Sequence, residues 1–577
     1  MNGTGACIVQ RDFTVLLEKE HPGFEQAKLQ LALFAELVKS PAGFHTYRIT
    51  PLSLWNAAAS GCTADDIVSM LRNLARWEVP GKVVSDIRTW VSRYGSLALV
   101  RVDDQPDMLC LELRGSNPSL LEQLEKEASL QPFRLERDGS SRLRFPAVFR
   151  GLLKQETARL GYPLIDEAGY HSGHTLPLAL RTVLSDGRSF ALRDYQTEGV
   201  QAFAGSMNSI GQQGRGGSGV IVLPCGAGKT IIGIAALERL QCETLILTSN
   251  VTSVRQWIAE ICQKTTLTCE EVGEYSGDRK QVRPVTVSTY QILTHRNRKE
   301  EGFKHMSLFN ERDWGLIIYD EVHLLPAPVF RATADIQATR RLGLTATLVR
   351  EDGCERDVFS LIGPKLYELP WRELEKSGHI AQVECQEIQV TMSPSLREKY
   401  EAAQGRGKFR LAAENPRKIT WIQKLVRLHE DRQILIIGQY LQQLTQVASV
   451  LQAPLITGST TQEERGRLFQ AFRDRQINVL VVSKVANFAV DLPDASVAVQ
   501  ISGSFGSRQE EAQRLGRILR PKMAGEIAYF YSLVSADSRE QHFALRRQLF
   551  LVEQGYEYSI RRGDPSCMEP ASQREVL

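Results

Sequence analysis

No stretch of the 577-residue chain approaches the ~18 consecutive apolar residues of a membrane span. Its start, MNGTGACIVQRDFTVLLEKE, has no basic flank followed by a long apolar run, so no signal peptide is read there. The ten cysteines contain no C-x-x-C pair, and the closest two, Cys262 and Cys269, lack a matching second pair. That excludes a zinc site or a four-cysteine iron–sulfur cluster built on such pairs. No excess of either sign of charge is present: 70 Lys and Arg against 67 Asp and Glu leave a net charge of +3. Balance of this kind neither implies nor excludes nucleic acid, because a local basic groove can sit on a nearly neutral protein. No fixed-period repeat is found. These absences predict a soluble intracellular protein with reduced thiols.

What is present is ordinary globular composition, 42% hydrophobic and 24% charged, which argues against wholesale disorder. At roughly 150 residues per domain the length suggests about four units. Residues 1 to about 180 alternate helical patterns with a few strands. The stretch 46–95 reads as three short helices with a Gly-Cys-Thr turn, followed by a hairpin, SLALVRV and DMLCLEL, an order that suits a winged helix. A small helical domain with no nucleic-acid role fits equally well. From about 185 the texture changes. GVIVL at 219–223, TLILT at 244–248, VTVST at 285–289, GLIIY at 315–319 and RLGLT at 341–345 read as buried parallel strands separated by helices. The pattern resumes with QILIIG at 433–438, NVLVVS at 478–483, VAVQIS at 497–502 and IAYFYSLV at 527–534. Two α/β domains follow, preceded by a smaller α+β region. The boundaries are 1–84 (helical, with the winged-helix pattern), 85–180, 181–372, 373–560 and a loose tail, 561–577.

The chemistry concentrates after the strands. Leu223-Pro224-Cys225-Gly226-Ala227-Gly228-Lys229-Thr230 joins a strand to a helical run. Glycines there let backbone N–H groups approach phosphate oxygens, and the helix start adds its positive dipole end. Lys229 reaches the β and γ phosphates, and Thr230 ligates Mg²⁺. The strict pattern has glycine where this chain has Leu223. Ninety-one residues beyond Lys229, GLIIY ends in Asp320-Glu321-Val322-His323. An acid at a strand end, Asp320, holds the metal, while its neighbour Glu321 orients or deprotonates the attacking water. Leu344-Thr345-Ala346-Thr347 follows another strand. The hydroxyls of Thr345 and Thr347 are candidates for coupling the phosphate site to the next domain, the simpler alternative being hydroxyls satisfied in a turn. In the second domain Arg514, Arg517 and Arg520 step by three along a helical pattern that includes Gln513. A row of arginines is usually a solvated face, but an arginine finger supplies the charge that a phosphoryl transition state needs.

This set resembles a superfamily 2 helicase, with two RecA-like domains and ATP in the cleft between them. LRDYQ at 192–196, with Arg193 and Gln196, looks like its adenine-recognition segment. VIVLPCGAGKT, DEVHLLPA, LGLTATLVREDG, IGPKLYE, EEAQRLGRILRP and FLVEQGY are similar, in this order, to the XPB family of DNA repair helicases. So are TYRITPLSLWNAAASG and YPLIDEAGY at 162–170, outside the generic motors.

The resemblance implies an ATP- and Mg²⁺-dependent 3′→5′ DNA helicase or double-strand translocase acting in nucleotide excision repair. It implies catalytic roles for Lys229, Asp320, Glu321, Arg517 and Arg520, and makes Asp491 a ribose or coupling contact. It assigns Arg350-Glu351-Asp352 to the family's RED motif, residues 85–180 to a damage-recognition region, and 393–416 to a short thumb-like segment. DNA contacts are expected at Arg255, Gln256, Thr289, Ser459 and Lys484. Few aromatics in 85–180 give no base-stacking platform there. Ala486 and Asn487 stand where the family usually has Gly and Asp. The long acidic insertion and tails of eukaryotic members are missing, which suggests a prokaryotic or viral source and no basal transcription complex; a cytoplasmic, nucleoid-associated prokaryotic monomer is expected, with a repair nuclease as a possible partner. A repair scaffold that binds ATP but barely unwinds, and an RNA helicase on the same motor, are the alternatives.

Overall fold

The computed structural model describes residues 5–39, 43–103, 105–115, 117–205, 217–224, 226–296, 303–337, 339–346, 348, 355–369, 374, 382–483, 495–503, 527–553 and 558–562. They form two compact units, Met1–Val222 with Gly228–Glu368, and Leu223–Ala227 with Leu369–Leu577.

The first unit opens with a four-stranded antiparallel sheet of β1 (Cys7–Val9), β2 (Thr14–Glu18), β3 (Glu36–Lys39) and β4 (Phe44–Arg48), in the order β1-β2-β4-β3. Residues 1–84, read from the sequence as helical, thus also carry a sheet. In β2, buried Val15 and Leu17 alternate with half-buried neighbours, a period of two that short polar flanks obscure. Three helices follow, α1 (Pro51–Ala59), α2 (Ala64–Leu74) and α3 (Gly81–Arg93). Thr50 with Ser53, and Thr63 with Asp66, make reciprocal capping boxes that start the first two.

The hairpin after them, β5 (Leu97–Arg101) and β6 (Met108–Leu113), joins β7 (Glu136–Asp138), β8 (Arg142–Pro146) and β9 (Ile165–Asp166) in a five-stranded sheet, order β7-β8-β6-β5-β9. Its strands pack into a core with Leu120, Leu121, Leu124, Phe133 and Leu153.

This sheet is fastened by polar groups to elements that follow it in the chain. Asp166, at the end of β9, accepts from Arg150 Nη2 at 2.7 Å and from Lys154 Nζ at 3.0 Å, both on α4 (Arg150–Arg159). Lys154 also donates to Gln337 Oε1 at 2.9 Å. Arg341, fully buried, donates to the carbonyls of Leu361 and Gln337 at 2.7 and 2.8 Å. Arg150 and Arg341 lie 5.4 and 5.6 Å from the Tyr170 ring centroid. The segment YPLIDEAGY therefore supplies both the anion and the aromatic face of one buried network. Burial pushes the Lys154 ammonium down to about 8 although Asp166 opposes the shift.

The first of the two seven-stranded sheets holds β10 (Ser218–Val222), β11 (Thr244–Thr248), β12 (Val272–Tyr275), β13 (Val285–Thr289), β14 (Leu316–Asp320), β15 (Arg340–Thr345) and β16 (Lys365–Glu368). Every pair is parallel, and the order is β12-β13-β11-β14-β15-β10-β16. β11 and β13 are buried at every residue, as strands covered on both faces must be. The sheet of the second unit holds β17 (Gln382–Val390), β18 (Ile434–Gly438), β19 (Leu455–Ile456), β20 (Val479–Ser483), β21 (Val497–Gln500), β22 (Ile527–Ser535) and β23 (Tyr558–Arg562). It too is parallel throughout, in the order β19-β20-β18-β21-β22-β17-β23. Counted from each unit's own first strand, the two orders are the same. Between β17 and β18, residues 393–416, expected as a thumb-like segment, hold two short helices, Pro394–Ala402 and Gly405–Ala413. Among the described residues no helix is long and apolar enough to cross a membrane.

Candidate nucleotide site

Parallel sheets present their loops at the carboxyl ends of the strands. Register places three such ends side by side in the first unit: Val222 pairs with Thr345, and Asp320 with Leu344. The glycine-rich loop, the Asp-Glu pair and the Leu-Thr-Ala segment, far apart in sequence, meet on one edge.

The loop after β10 turns on Gly226 and Gly228, with φ of 84° and 82°. In this left-handed region a side chain is disfavoured. Gly228 is also tight in space, since a Cβ there would lie 2.6 Å from Gln196 Nε2. Gln196 is buried near the start of a helix, α5 (Asp194–Ala204), and its Oε1 accepts from the Arg193 backbone N–H at 3.0 Å. Arg193 Nη1 donates to Tyr195 Oη at 3.0 Å. The expected adenine segment therefore abuts the phosphate loop. Leu223, Pro224 and Ala227 are buried and Gly226 is exposed, while Cys225 lies outside the described residues.

Lys229 and Thr230 open α6 (Lys229–Leu240), and Lys229 Nζ lies 3.4 Å from Glu321 Oε1. Burial pushes the Glu321 carboxyl up, but Lys229 and then His323 outweigh it and hold it below its ordinary value. Asp320 goes the other way: burial first and the Glu321 charge second raise it to about 6. Two adjacent carboxylates are split in this manner when a cation acts more strongly on one than on the other. Glu321 itself has φ of 51°, a left-handed conformation costly for a side-chain-bearing residue.

Three supporting groups have no part in this site in the sequence reading. Trp257 Nε1 donates to Asp320 Oδ2 at 2.9 Å. It stands on α7 (Val251–Lys264), where buried Val254, Trp257 and Ile261 recur at helical spacing. That period was the available signal, and it reads only as core. The ring crosses α6 at Gly233, where a Cβ would lie 2.5 Å from it. Tyr290 Oη donates to the Asp320 carbonyl at 2.9 Å. His323 Nδ1 is hydrogen-bonded to Thr345 Oγ1 at 2.7 Å and lies 3.6 Å from Glu321 Oε2. Thr345, expected to couple, is thereby joined to the Asp-Glu-Val-His segment.

The expected DNA contacts are placed unevenly. Arg255 and Gln256 are exposed on α7, with Arg255 Nη2 3.5 Å from Asp278 Oδ2. Thr289 is buried, and its hydroxyl accepts from the Ile292 N–H at 3.3 Å, capping the turn Tyr290–Leu293. Ser459 is exposed, its hydroxyl 2.8 Å from Thr457 Oγ1. Thr347, Arg350, Glu351, Asp352, Lys484, Asp491, Gln513, Arg514, Arg517 and Arg520 lie outside the described residues.

The residues gathered at these strand ends lie in sequence that is shared with known proteins. A model described as "ERCC3/RAD25/XPB C-terminal helicase" matches residues 374–571. One described as "Type III restriction enzyme, res subunit" matches 189–350, and a "Helicase conserved C-terminal domain" matches 7–138. The chain is 49% identical to the DNA 3′-5′ helicase XPB of Kineococcus radiotolerans, over 97% of both chains. It belongs to the XPB helicase family. The XPB helicase of Mycobacterium tuberculosis is 48% identical over 97% of this chain and 98% of its own length. The Saccharomyces cerevisiae general transcription and DNA repair factor IIH subunit XPB/SSL2 is 34% identical over 96% of this chain and 71% of its own. As an XPB-family member the chain is a helicase, and its two parallel-sheet units are RecA-like motor domains.

Proposed function

We propose that this chain is an ATP-dependent 3′→5′ DNA helicase or double-strand translocase that opens DNA for nucleotide excision repair. The observation that carries the reading is the Lys229–Glu321 pair beside half-buried Asp320, at the strand ends of a chain alike over nearly its whole length to named DNA 3′-5′ helicases.

In this reading Gln196 and Arg193 receive the adenine, and the N–H groups around Gly226 and Gly228 receive the phosphates. Lys229 leaves Glu321 for the β and γ phosphates. Glu321, released, takes the proton of the attacking water. The hydroxyl of Thr230 and the carboxylate of Asp320 are hard oxygen donors that fit Mg²⁺, which favours such donors and keeps sites for phosphate and water. When bound, that ion neutralises charge building on the transferred phosphoryl group. Trp257 holds the Asp320 carboxylate in place. The His323–Thr345 bond carries the state of the site to β15. Arg517 and Arg520 serve as arginine fingers, Asp491 as a ribose or coupling contact, and Thr347 and Gln513 as couplers. Arg255, Gln256, Thr289, Ser459, Lys484 and Arg350-Glu351-Asp352 belong to the DNA path. The protein works as a monomer in the cytoplasm of a prokaryote, at the nucleoid, with a repair nuclease as partner.

The test is strand displacement on 3′-tailed against 5′-tailed duplexes, with ATPase measured in parallel. Displacement restricted to the 3′-tailed substrate, with DNA-stimulated hydrolysis, is expected. Hydrolysis without displacement on either substrate would favour a repair scaffold, and stimulation by RNA alone would favour an RNA helicase.

A further inference from the structure

The two cysteines set aside in the sequence are brought together by the fold. Cys262 lies in the last turn of α7 and Cys269 in the loop leading to β12, and their sulfurs are 3.0 Å apart. Cys269 is exposed and Cys262 half-buried, whereas Cys7, Cys110, Cys242 and Cys385 are buried. Neither of the pair takes part in the nucleotide site.

The chain between them is held by a second segment. The Arg181 N–H donates to the Lys264 carbonyl at 2.8 Å, and the Thr266 N–H to the Ala179 carbonyl at 3.0 Å. Arg181 Nε donates to the Thr265 carbonyl at 2.7 Å, and the Ala179 N–H to Thr266 Oγ1 at 3.0 Å. The Thr265 hydroxyl closes the helix on the Ile261 carbonyl at 2.8 Å. Ordering the intervening loop has thus been done by folding, and no backbone search is left before one sulfur meets the other. Burial, followed by the hydrogen bond from Cys269, pushes the Cys262 thiol up to about 12, so Cys262 keeps its proton until it reacts. The exposed Cys269 meets an oxidant first.

We propose that Cys262 and Cys269 are a redox modification site that closes to a reversible intramolecular disulfide under a hydroperoxide. The Cys269 thiolate attacks the peroxide, forming an S–O bond as the O–O bond breaks. The departing oxygen takes a proton and leaves as an alcohol, or as water from hydrogen peroxide. The Cys262 sulfur then attacks the Cys269 sulfenic acid, forming the S–S bond and breaking the S–O bond. The hydroxide released takes the Cys262 proton and leaves as water. Two thiols lose two electrons and the peroxide gains them. A dithiol reverses the reaction by exchange. The disulfide ties the end of α7, the helix that carries Trp257, to the loop entering β12.

The experiment uses the full chain, reduced, freed of reductant and titrated with hydrogen peroxide. Remaining thiols are blocked with N-ethylmaleimide, and the protein is digested with trypsin without reductant. Cleavage after Arg255, Lys264 and Arg279 leaves the two cysteines on separate peptides, 256–264 and 265–279. The expected result is a linked pair, lighter than the two reduced peptides by the two hydrogens lost. It forms at lower peroxide than any oxidation of half-buried Cys62, and dithiothreitol abolishes it. Cys269→Ser should leave Cys262 fully alkylated. Cys262→Ser should leave Cys269 as a sulfenic acid that dimedone captures. The proposal fails if both peptides stay alkylated while Cys62 oxidises. It also fails if Cys269 passes to its sulfinic acid with Cys262 still alkylated.

Discussion

The two motor domains repeat one strand order and differ in what they place at its ends. Tyr319 sits beside Leu247 in the first sheet, where Gln500 sits beside Ile437 in the second. By that register Ile501 occupies the place of Asp320, and Ser502 that of Glu321. Each unit still has a lysine–glutamate pair near this strand. In the first, Lys229 and Glu321 are 3.4 Å apart and remain partly open. In the second, Lys418 and Glu540 are 2.9 Å apart with side chains 0% and 1% exposed. Lys418 Nζ also donates to the Ile501 carbonyl, and Glu540 accepts from the Ser535 N–H, each at 2.9 Å. The same two charges are looser and partly open in the first unit, as the proposed site requires, and saturated and dry in the second, as a fastening requires.

The contrast is broken most directly at Lys229. Lys229→Ala should take ATP hydrolysis to background, a loss beyond about 10⁴-fold, since it removes the cation that meets the phosphates. Circular dichroism and thermal unfolding should stay near those of the parent, because the loop is shaped by its glycines. Glu321→Gln keeps the shape but not the base. Turnover should fall about 10² to 10³-fold while ATP still binds, which single-turnover hydrolysis and filter binding would separate.

The fastening should respond in the opposite sense. Lys418→Met strands Glu540 in an apolar site and should destabilise the second unit by about 3 to 5 kcal/mol, measured by denaturant unfolding. Lys418→Met with Glu540→Leu should recover most of that loss, because no buried charge is then left alone. If the single substitution instead lowered turnover with stability intact, the pair would be part of the machinery. The smallest effect is expected at Trp257→Phe. It removes the hydrogen bond to Asp320, worth about 1 to 1.5 kcal/mol, together with the outer ring atoms that lie against Gly233, so hydrolysis should drop about tenfold.

Legibility in the sequence followed the same division. Both sheets were readable because strands such as TLILT and ILIIG are continuously apolar, and the phosphate loop because its glycines and lysine are adjacent. Residues 7–48 were harder, since β1 and β3 span three and four residues and show too little alternation. Within the site, Lys229, Asp320 and Glu321 carry their chemistry in their type. Trp257 and Tyr290 do not: each is an aromatic at a core position, and only folding shows that its polar end reaches Asp320. At Thr289 the residue type alone leaves two uses open, because a hydroxyl after a strand suits a ligand contact and also caps the turn that follows.

The left-handed backbone at Glu321 has a consequence for anyone wishing to move this site to another scaffold. Along a regular strand, neighbouring side chains point to opposite faces. Copied into an unbroken strand, the letters Asp-Glu would send one carboxylate away from the lysine. The transplant must therefore carry the kink at position 321, where φ is 51°, as well as the two residues. It must also bring surroundings firm enough to hold a side-chain-bearing residue in that shape, at a cost of about 1 to 2 kcal/mol.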